Sequence, residues 1–493
     1  MPAQHLTSGY SGSHRLRTGL LYVATIVAAG ACFAWIRALG SGLNAPAPAV
    51  SQEIFGRTLS HEHFDSTLHV LLALALIIFA ARVVGALFRH LGQPPVIGET
   101  ISGILLGPSL LGQVSPAAFA YLIPQEVIPL LNVIAQVGVV LFMFLVGVEL
   151  NPTHLRRGSS IVIAISHSSI VVPFLLGCAV SLLLYPSYAT SDVPFGVFIL
   201  FIGISMSVTA FPVLARILCD RGFDSSRLGN IALTCAAVDD VTAWCLLALV
   251  MGVARSEPGS AAQTCAYALM FISFMLLVVR RLVGRLALHE EGKTQLRQGT
   301  MAIVLVALLL SAFATERIGI HALFGSFILG AVIPHDSSLA RQLVARLRDF
   351  AVVFFLPVYF AFTGLHTQFG LLTGADNWIA CALIIATASL GKFGGTFVAA
   401  RLTGLRWRDG AALGVLMNTR GLMELIVLNI GLEMKVLSPL LFAMFIFMAI
   451  VTTVATTPVL EWLNREGKVF GRATAKERDE SFVTPSDGVS DGC

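Results

Sequence analysis

The sequence predicts an all-α polytopic membrane protein, and three observations carry that prediction. Of 493 residues, 56% are hydrophobic and only 12% are charged, against roughly a quarter charged in an ordinary soluble domain; the mean hydropathy is +0.83. About fourteen apolar stretches can serve as helices that cross the hydrocarbon core. Arg and Lys concentrate in every second loop, as membrane orientation requires. The net charge of +4 therefore resides in loops and calls for no nucleic acid.

The stretches are centred near residues 29, 80, 103, 138, 172, 205, 240, 272, 306, 328, 358, 389, 421 and 450. The first is the least certain in kind. A basic start, an apolar core and then NAPAPAV also fit a signal peptide, but Arg37 near its end and the lack of a clean cleavage site favour a retained helix. Residues 1–66 thus read as a cytoplasmic segment, an extra transmembrane helix and an external linker, in which His61 and His63 read as solvated rather than metal-binding. Residues 67–463 hold about thirteen core spans. Residues 464–493 are polar and rich in charge, Ser and Gly, and read as a disordered cytoplasmic tail with no regulatory nucleotide domain.

Loop charge sets the orientation. One set of loops carries Arg82 and Arg89, Arg156 and Arg157, Arg216, Arg221 and Arg227, Arg280 to Arg297, Arg341 to Arg348, and Arg401 to Arg408. The other set carries little beyond Arg57, Arg255, Arg317 and Lys435. Both termini are expected on the cytoplasmic side of the inner (plasma) membrane, with an even number of spans. The eight cysteines show no CxxC spacing, so neither zinc nor redox chemistry is expected. There is no convincing phosphate-binding Gly-rich loop, which excludes an ATP-driven pump. No enzymatic activity and no cofactor are expected.

The chemistry must lie in polar groups at membrane depth, where a charge costs about 2.5–3.5 kcal/mol and marks a functional site by default. The candidates are Glu99, Glu149, Asp239, Asp240, Lys392, Arg420 and Glu424, with His167 and His321 as weaker ones. Asp239 and Asp240 are adjacent in CAAVDDVTAWCL. Helix neighbours point about 100° apart, so each acid needs its own compensation. Lys392, flanked by glycines that allow close helix approach, can pair with one aspartate and leave the other facing a water-filled cavity. The competing structural reading is a charge network that only holds helices together.

Two spans interrupt themselves. FIGISMSVTAFPVLARIL brings Ser205, Ser207, Thr209 and Pro212 to one level, and LGVLMNTRGLMELIVLNIG does the same with Asn418, Thr419, Arg420 and Gly421. Broken helices at corresponding places of two halves point to a transporter site, where half-helix ends and freed carbonyls meet the ion. A partly desolvated carboxylate beside another acid lets proton and cation compete for one position. Only a neutralised site crosses the membrane cheaply, so competition yields exchange.

At these residues the sequence resembles the second branch of the monovalent cation:proton antiporter superfamily, which holds Kef-type proteins and plant cation/proton exchangers. The matching phrases include QPPVIGETISGILLGPSLLG at 93–112, SMSVTAFPVLARIL at 205–218, AAVDDVTAW at 236–244, IGIHALFGSFILGAVIP at 318–334, GKFGGT at 391–396 and NTRGLMELIVLN at 418–429. They run in family order over residues 70–460, and the wording is nearest to bacterial relatives of the plant exchangers.

The resemblance implies an inverted-repeat fold with two crossing broken helices, and a core domain that slides like an elevator against a dimerisation domain of a homodimer. It implies Na⁺ or K⁺ exchanged for H⁺ across the lipid bilayer. Asp240 becomes the cation- and proton-binding carboxylate, the ligand of the transported metal ion. Asp239 becomes the partner of Lys392, and Thr209, Ser207, Pro212, Asn418, Thr419 and Gly421 fall at the crossing. Arg420 and Glu424 match a charged stretch that braces the core, with Glu99 and Glu149 as its expected companions. Relatives with Asn in the first acidic position are generally electroneutral; Asp239 here implies electrogenic exchange. A K⁺ channel-like protein and a Na⁺-coupled solute symporter remain alternatives, since broken helices serve those too. An intramembrane aspartyl protease does not fit, because its two acids face each other from separate helices.

Overall fold

The structure is a computed structural model that describes residues 12–40, 42, 66–149, 160–191, 193–221, 223, 226–255, 261–292 and 296–464. The expected external linker and polar tail lie outside the described residues, apart from Gly42 and Asn464. The helices of ten residues or more, in order, are α1 Gly12–Gly40, α2 Ser66–His90, α3 Pro95–Leu106, α4 Ile128–Glu149, α5 Ser160–Tyr188, α6 Phe195–Ser207, α7 Phe211–Asp220 and α8 Arg227–Arg255, with two short helices, Leu111–Val114 and Pro116–Leu122, between α3 and α4. There follow α9 Ala261–Phe274 and α10 Arg280–Glu290, joined by a π turn at Met275–Val279, then α11 Gln298–Ile318 and α12 Ala322–Val332. Next come α13 Ser338–Phe350 and α14 Leu356–Leu365, joined by a π turn at Ala351–Phe355. The chain closes with α15 Ala375–Leu402, α16 Trp407–Met417, α17 Leu422–Glu433 and α18 Pro439–Leu463.

Ten described helices are long and apolar enough to cross a membrane, and the bent pair α16–α17 makes eleven. Three shorter apolar helices accompany them, at Ala24–Gly40, Phe195–Ser207 and Ala322–Val332. Each of the fourteen expected centres falls on one of these elements or, for the centre near 421, in the break between α16 and α17. The only pairing resembling a strand among the described residues is an isolated bridge between Ala189 and Leu437. In a hydrocarbon solvent this is what backbone hydrogen bonding demands, since helices satisfy their own N–H and C=O groups.

Packing divides the spans into two groups. In the first, α5 lies along α15, and α6, α8, α16, α17 and α18 gather around that pair. In the second, α3 packs on α2 and α14, while α12 packs on α11 and α4. Glycines permit the tightest of these contacts. A Cβ at Gly391 or Gly395 of α15 would run into Pro173 or the Ser168 carbonyl of α5. Gly103 of α3 faces the Ala361 backbone while Gly364 of α14 faces that of Thr100; Gly147 of α4 faces Phe327 while Gly330 of α12 faces Phe144. Without a hydrophobic force between helices in lipid, such backbone approach supplies the packing energy. The two reciprocal crossings, α3 on α14 and α12 on α4, relate the two halves of the chain. α1 rests on α5 and α6, against the first group.

Candidate functional site

Two helix breaks meet inside the first group. α6 ends at Ser207 and α7 starts at Phe211, leaving Val208, Thr209 and Ala210 non-helical. Pro212 therefore lies in the first turn of α7, where its missing N–H leaves no helical acceptor unserved. The break precedes the proline instead of being made by it. The second break runs from Asn418 to Gly421 between α16 and α17, which are bent by 43°. The breaks are joined directly: Ala210 N donates to the Thr419 carbonyl at 3.1 Å. Gly421 is needed there for space, because a Cβ would meet Val213 Cγ2 at 2.6 Å.

Arg420 fills the crossing. Its guanidinium donates to the Ser205 carbonyl at 3.2 Å and to those of Val208 and Met206 at 2.8 Å. These are the carbonyls that the end of α6 leaves without helical partners, and the planar fork of Arg suits several at once. Glu424 Oε2 lies 3.4 Å from Arg420 Nη1, and both residues are fully buried. Thr453 of α18 closes the second break by donating to the Arg420 carbonyl and accepting from its N–H.

Asp239 and Asp240 occupy the middle of α8, beside the crossing, and receive very different surroundings. Asp239 Oδ1 accepts from Ser166 at 2.6 Å; its Oδ2 lies 2.5 Å from the Ser169 hydroxyl, 2.9 Å from that of Thr209 and 3.3 Å from Lys392 Nζ. Lys392 Nζ also donates to Thr209 Oγ1 at 2.5 Å. Thr209 thus accepts from the ammonium and offers its one proton to Asp239 or, at 3.2 Å, to the Met417 carbonyl. Asp239 and Lys392 are buried, yet every charge has a partner, which is the condition for tolerating them there.

Asp240 is also buried, at 4% exposure, but its Oδ1 accepts no hydrogen bond among the described residues. The Phe211 backbone N–H, at the start of α7, faces this carboxylate, and helix N-termini favour negative charge. One turn along the same face, Trp244 Nε1 is likewise buried without a partner, its ring stacked on Phe327 of α12. At the second break the Asn418 amide oxygen is also without a hydrogen-bond partner among the described residues, as are Arg420 Nε and both Glu424 oxygens of the ion pair. A carboxylate oxygen and an amide oxygen with nothing to accept from are hard, desolvated acceptors of the kind that coordinate alkali cations.

The remaining predicted residues divide. Thr419 Oγ1 turns back to the Leu416 carbonyl, and Ser207 Oγ to that of Gly203, so neither hydroxyl points at the acids. Glu99 and Glu149 do not join the Arg420–Glu424 pair, contrary to expectation. Glu99, on α3, has Arg82 as its charged neighbour. Glu149 is the last residue of α4, where a half-exposed side chain meets Arg348 at 3.5 Å. Depth in a span says that a charge needs a partner, not which helix provides it. His167 and His321 make local contacts, to the Ile163 carbonyl and the Leu323 N–H.

Ser166 and Ser169 were not singled out from sequence. Serines in apolar helices commonly bond to their own backbone, and Ser169 does reach the Ser166 carbonyl. Their spacing of three in AISHSSIVV, which puts two hydroxyls on one face, was the available signal.

Against this geometry the comparisons with known proteins are specific. The transmembrane sodium/hydrogen exchanger family matches residues 57–463. The Na(+)/H(+) antiporter NhaS4 of Synechocystis sp. is 44% identical over 398 residues, covering 80% of this chain and 97% of its own. The K(+)/H(+) antiporter 1 of Saccharomyces cerevisiae is 33% identical over 447 residues, covering 87% of this chain. This chain spans 50% of that yeast relative's length. In structure, the sodium proton antiporter MjNhaP1 from Methanocaldococcus jannaschii superposes with a TM-score of 0.59 at 14% identity, over 80% of this chain and 99% of that one; the likeness concerns the fold alone. This multi-pass membrane protein belongs to the sodium/hydrogen exchanger family.

Proposed function

We propose that the protein is a secondary antiporter that exchanges a monovalent cation, Na⁺ or K⁺, for protons, with Asp240 as the carboxylate both compete for. The observation that carries this reading is the inequality of the two acids. Asp239 has three hydroxyls and an ammonium around its two oxygens, while Asp240 Oδ1 has no partner. A buried carboxylate with one oxygen left uncompensated takes up a proton or a cation, and the neutralised form is the one that crosses a low-dielectric region at small cost. Asn418 and the Thr209 region supply further oxygen at the crossing.

Exchange proceeds by alternating access, in which the group containing α5, α8 and α15 moves as an elevator against the group containing α3, α4, α12 and α14. Lys392 releases its proton as the cation enters, so more than one proton returns per cation and transport is electrogenic. The protein works as a homodimer in the inner (plasma) membrane with both termini in the cytoplasm, as the loop charges suggest. The names of its relatives divide between Na⁺ and K⁺, and the cation is one of these.

The test uses everted vesicles with an acidified lumen. Addition of Na⁺ or K⁺ alone, with no organic solute, releases lumenal protons, and an imposed membrane potential changes the rate. A requirement for a solute contradicts antiport and favours a symporter; cation flux without proton movement favours a channel. Indifference to potential removes the electrogenic part and leaves exchange standing.

A further inference from the structure

At one end the seam between the two helix groups is polar and hydrogen-bonded. A cavity of about 30 Å³ opens there, with Asn132, Gln136, His321, Tyr359, Asn429 and Glu433 among its lining residues. It has room for about one water. Asn429, on α17 beyond the second break, points its amide nitrogen across the seam. Nδ2 lies 2.9 Å from the Tyr359 hydroxyl and 2.7 Å from Thr363 Oγ1, both on α14, and 2.9 Å from its own Leu425 carbonyl. The Leu425 carbonyl can only accept, which fixes which way the amide faces, and Thr363 spends its own proton on the Tyr359 carbonyl at 3.0 Å. All three side chains are buried, with Asn429 8%, Tyr359 6% and Thr363 0% exposed. On the wall of the same cavity, Gln136 Nε2 of α4 donates to Glu433 Oε1 of α17 at 3.0 Å. Both connections join α17, which carries the break, to helices of the other group.

We infer that Asn429, Tyr359 and Thr363, seconded by Gln136 and Glu433, form a latch that holds this end of the seam closed and sets how often the site opens on that face. A buried amide that loses two oriented acceptors must find water or remain unpaired, so sliding α17 along α14 meets its main polar resistance here. The cavity supplies the place where that water enters. The end concerned is the one whose loops carry Arg317 and Lys435, the external face in the topology proposed above. This inference rests on the alternating-access reading, and its test separates the two.

Right-side-out and everted vesicles carrying Asn429→Leu are compared with wild type for the cation concentration giving half-maximal exchange on each face. The leucine keeps the volume and removes the polar group. The apparent KM on the external face falls by about five- to thirtyfold, because a larger fraction of the protein is open there, while the cytoplasmic value does not fall. Tyr359→Phe shifts it in the same direction, and the double variant shifts it by less than the product of the singles. In a Thr363→Cys, Asn429→Cys variant, oxidation to a cross-link abolishes exchange and reductant restores it. Exchange that continues at wild-type rate with the cross-link closed, or an external KM unchanged in Asn429→Leu, overturns the latch. A wild type that exchanges nothing overturns the transport reading instead.

Discussion

At the scale of the residue, the pair Asp239–Asp240 is a division of labour imposed by helix geometry. Adjacent side chains diverge by about 100°, so α8 aims one acid at Ser166, Ser169, Thr209 and Lys392 and the other past the start of α7. Removing the ammonium while leaving the acid is costly: Lys392→Ala destabilises the protein by about 3–5 kcal/mol, read as a lower Tm of the purified protein in detergent. Pairing it with Asp239→Asn recovers most of that loss. An unchanged Tm in the single variant contradicts the assigned pairing. Ser166→Ala removes a hydrogen bond to a charged acceptor and costs about 1.5–3 kcal/mol; Ser166→Thr keeps it. The acids and the lysine were legible because charges in apolar spans stand out. The serines were not, because a hydroxyl in a membrane helix is satisfied by its own backbone as readily as by a neighbour.

At the scale of the element, what matters is how a helix is interrupted without leaving its backbone polar groups stranded in lipid. Arg420 replaces the missing helical donors at the end of α6 with three charge-assisted bonds. Arg420→Lys therefore behaves like Arg420→Ala, since a single ammonium cannot serve carbonyls spread along three residues. Both lower exchange and thermal stability, and full activity of the lysine variant argues against this role. Close crossings are equally demanding. Gly147→Val and Gly330→Val each force α4 from α12, costing about 1–3 kcal/mol or more and reducing the yield of folded protein; Gly284→Ala, where a Cβ meets nothing within 4 Å, is neutral. Sequence placed both breaks, the first of them at the level of Pro212, which in the structure lies in the first turn of the following helix. It also gathered Glu99 and Glu149 around Arg420, because burial depth can be read from hydropathy while the facing helix cannot.

At the scale of the whole molecule, apolar length and loop charge were sufficient to locate the spans, since a bilayer leaves few alternatives. The two-group arrangement is read from packing, and so is the seam between the groups, where Trp244 stacks on Phe327 and Asn429 reaches Tyr359. The seam was invisible in sequence because its polar members are ordinary Asn, Tyr and Gln residues in apolar spans. Movement across that seam is cheap only when Asp240 is neutralised, which calls for a single carboxylate that alternates between proton and metal ion. The most direct measurement is cation-driven proton release from everted vesicles containing wild type or Asp240→Asn at equal membrane abundance. Wild type releases protons on addition of Na⁺ or K⁺ and Asp240→Asn falls to the level of empty vesicles; proton release that survives in Asp240→Asn contradicts Asp240 as the shared carboxylate.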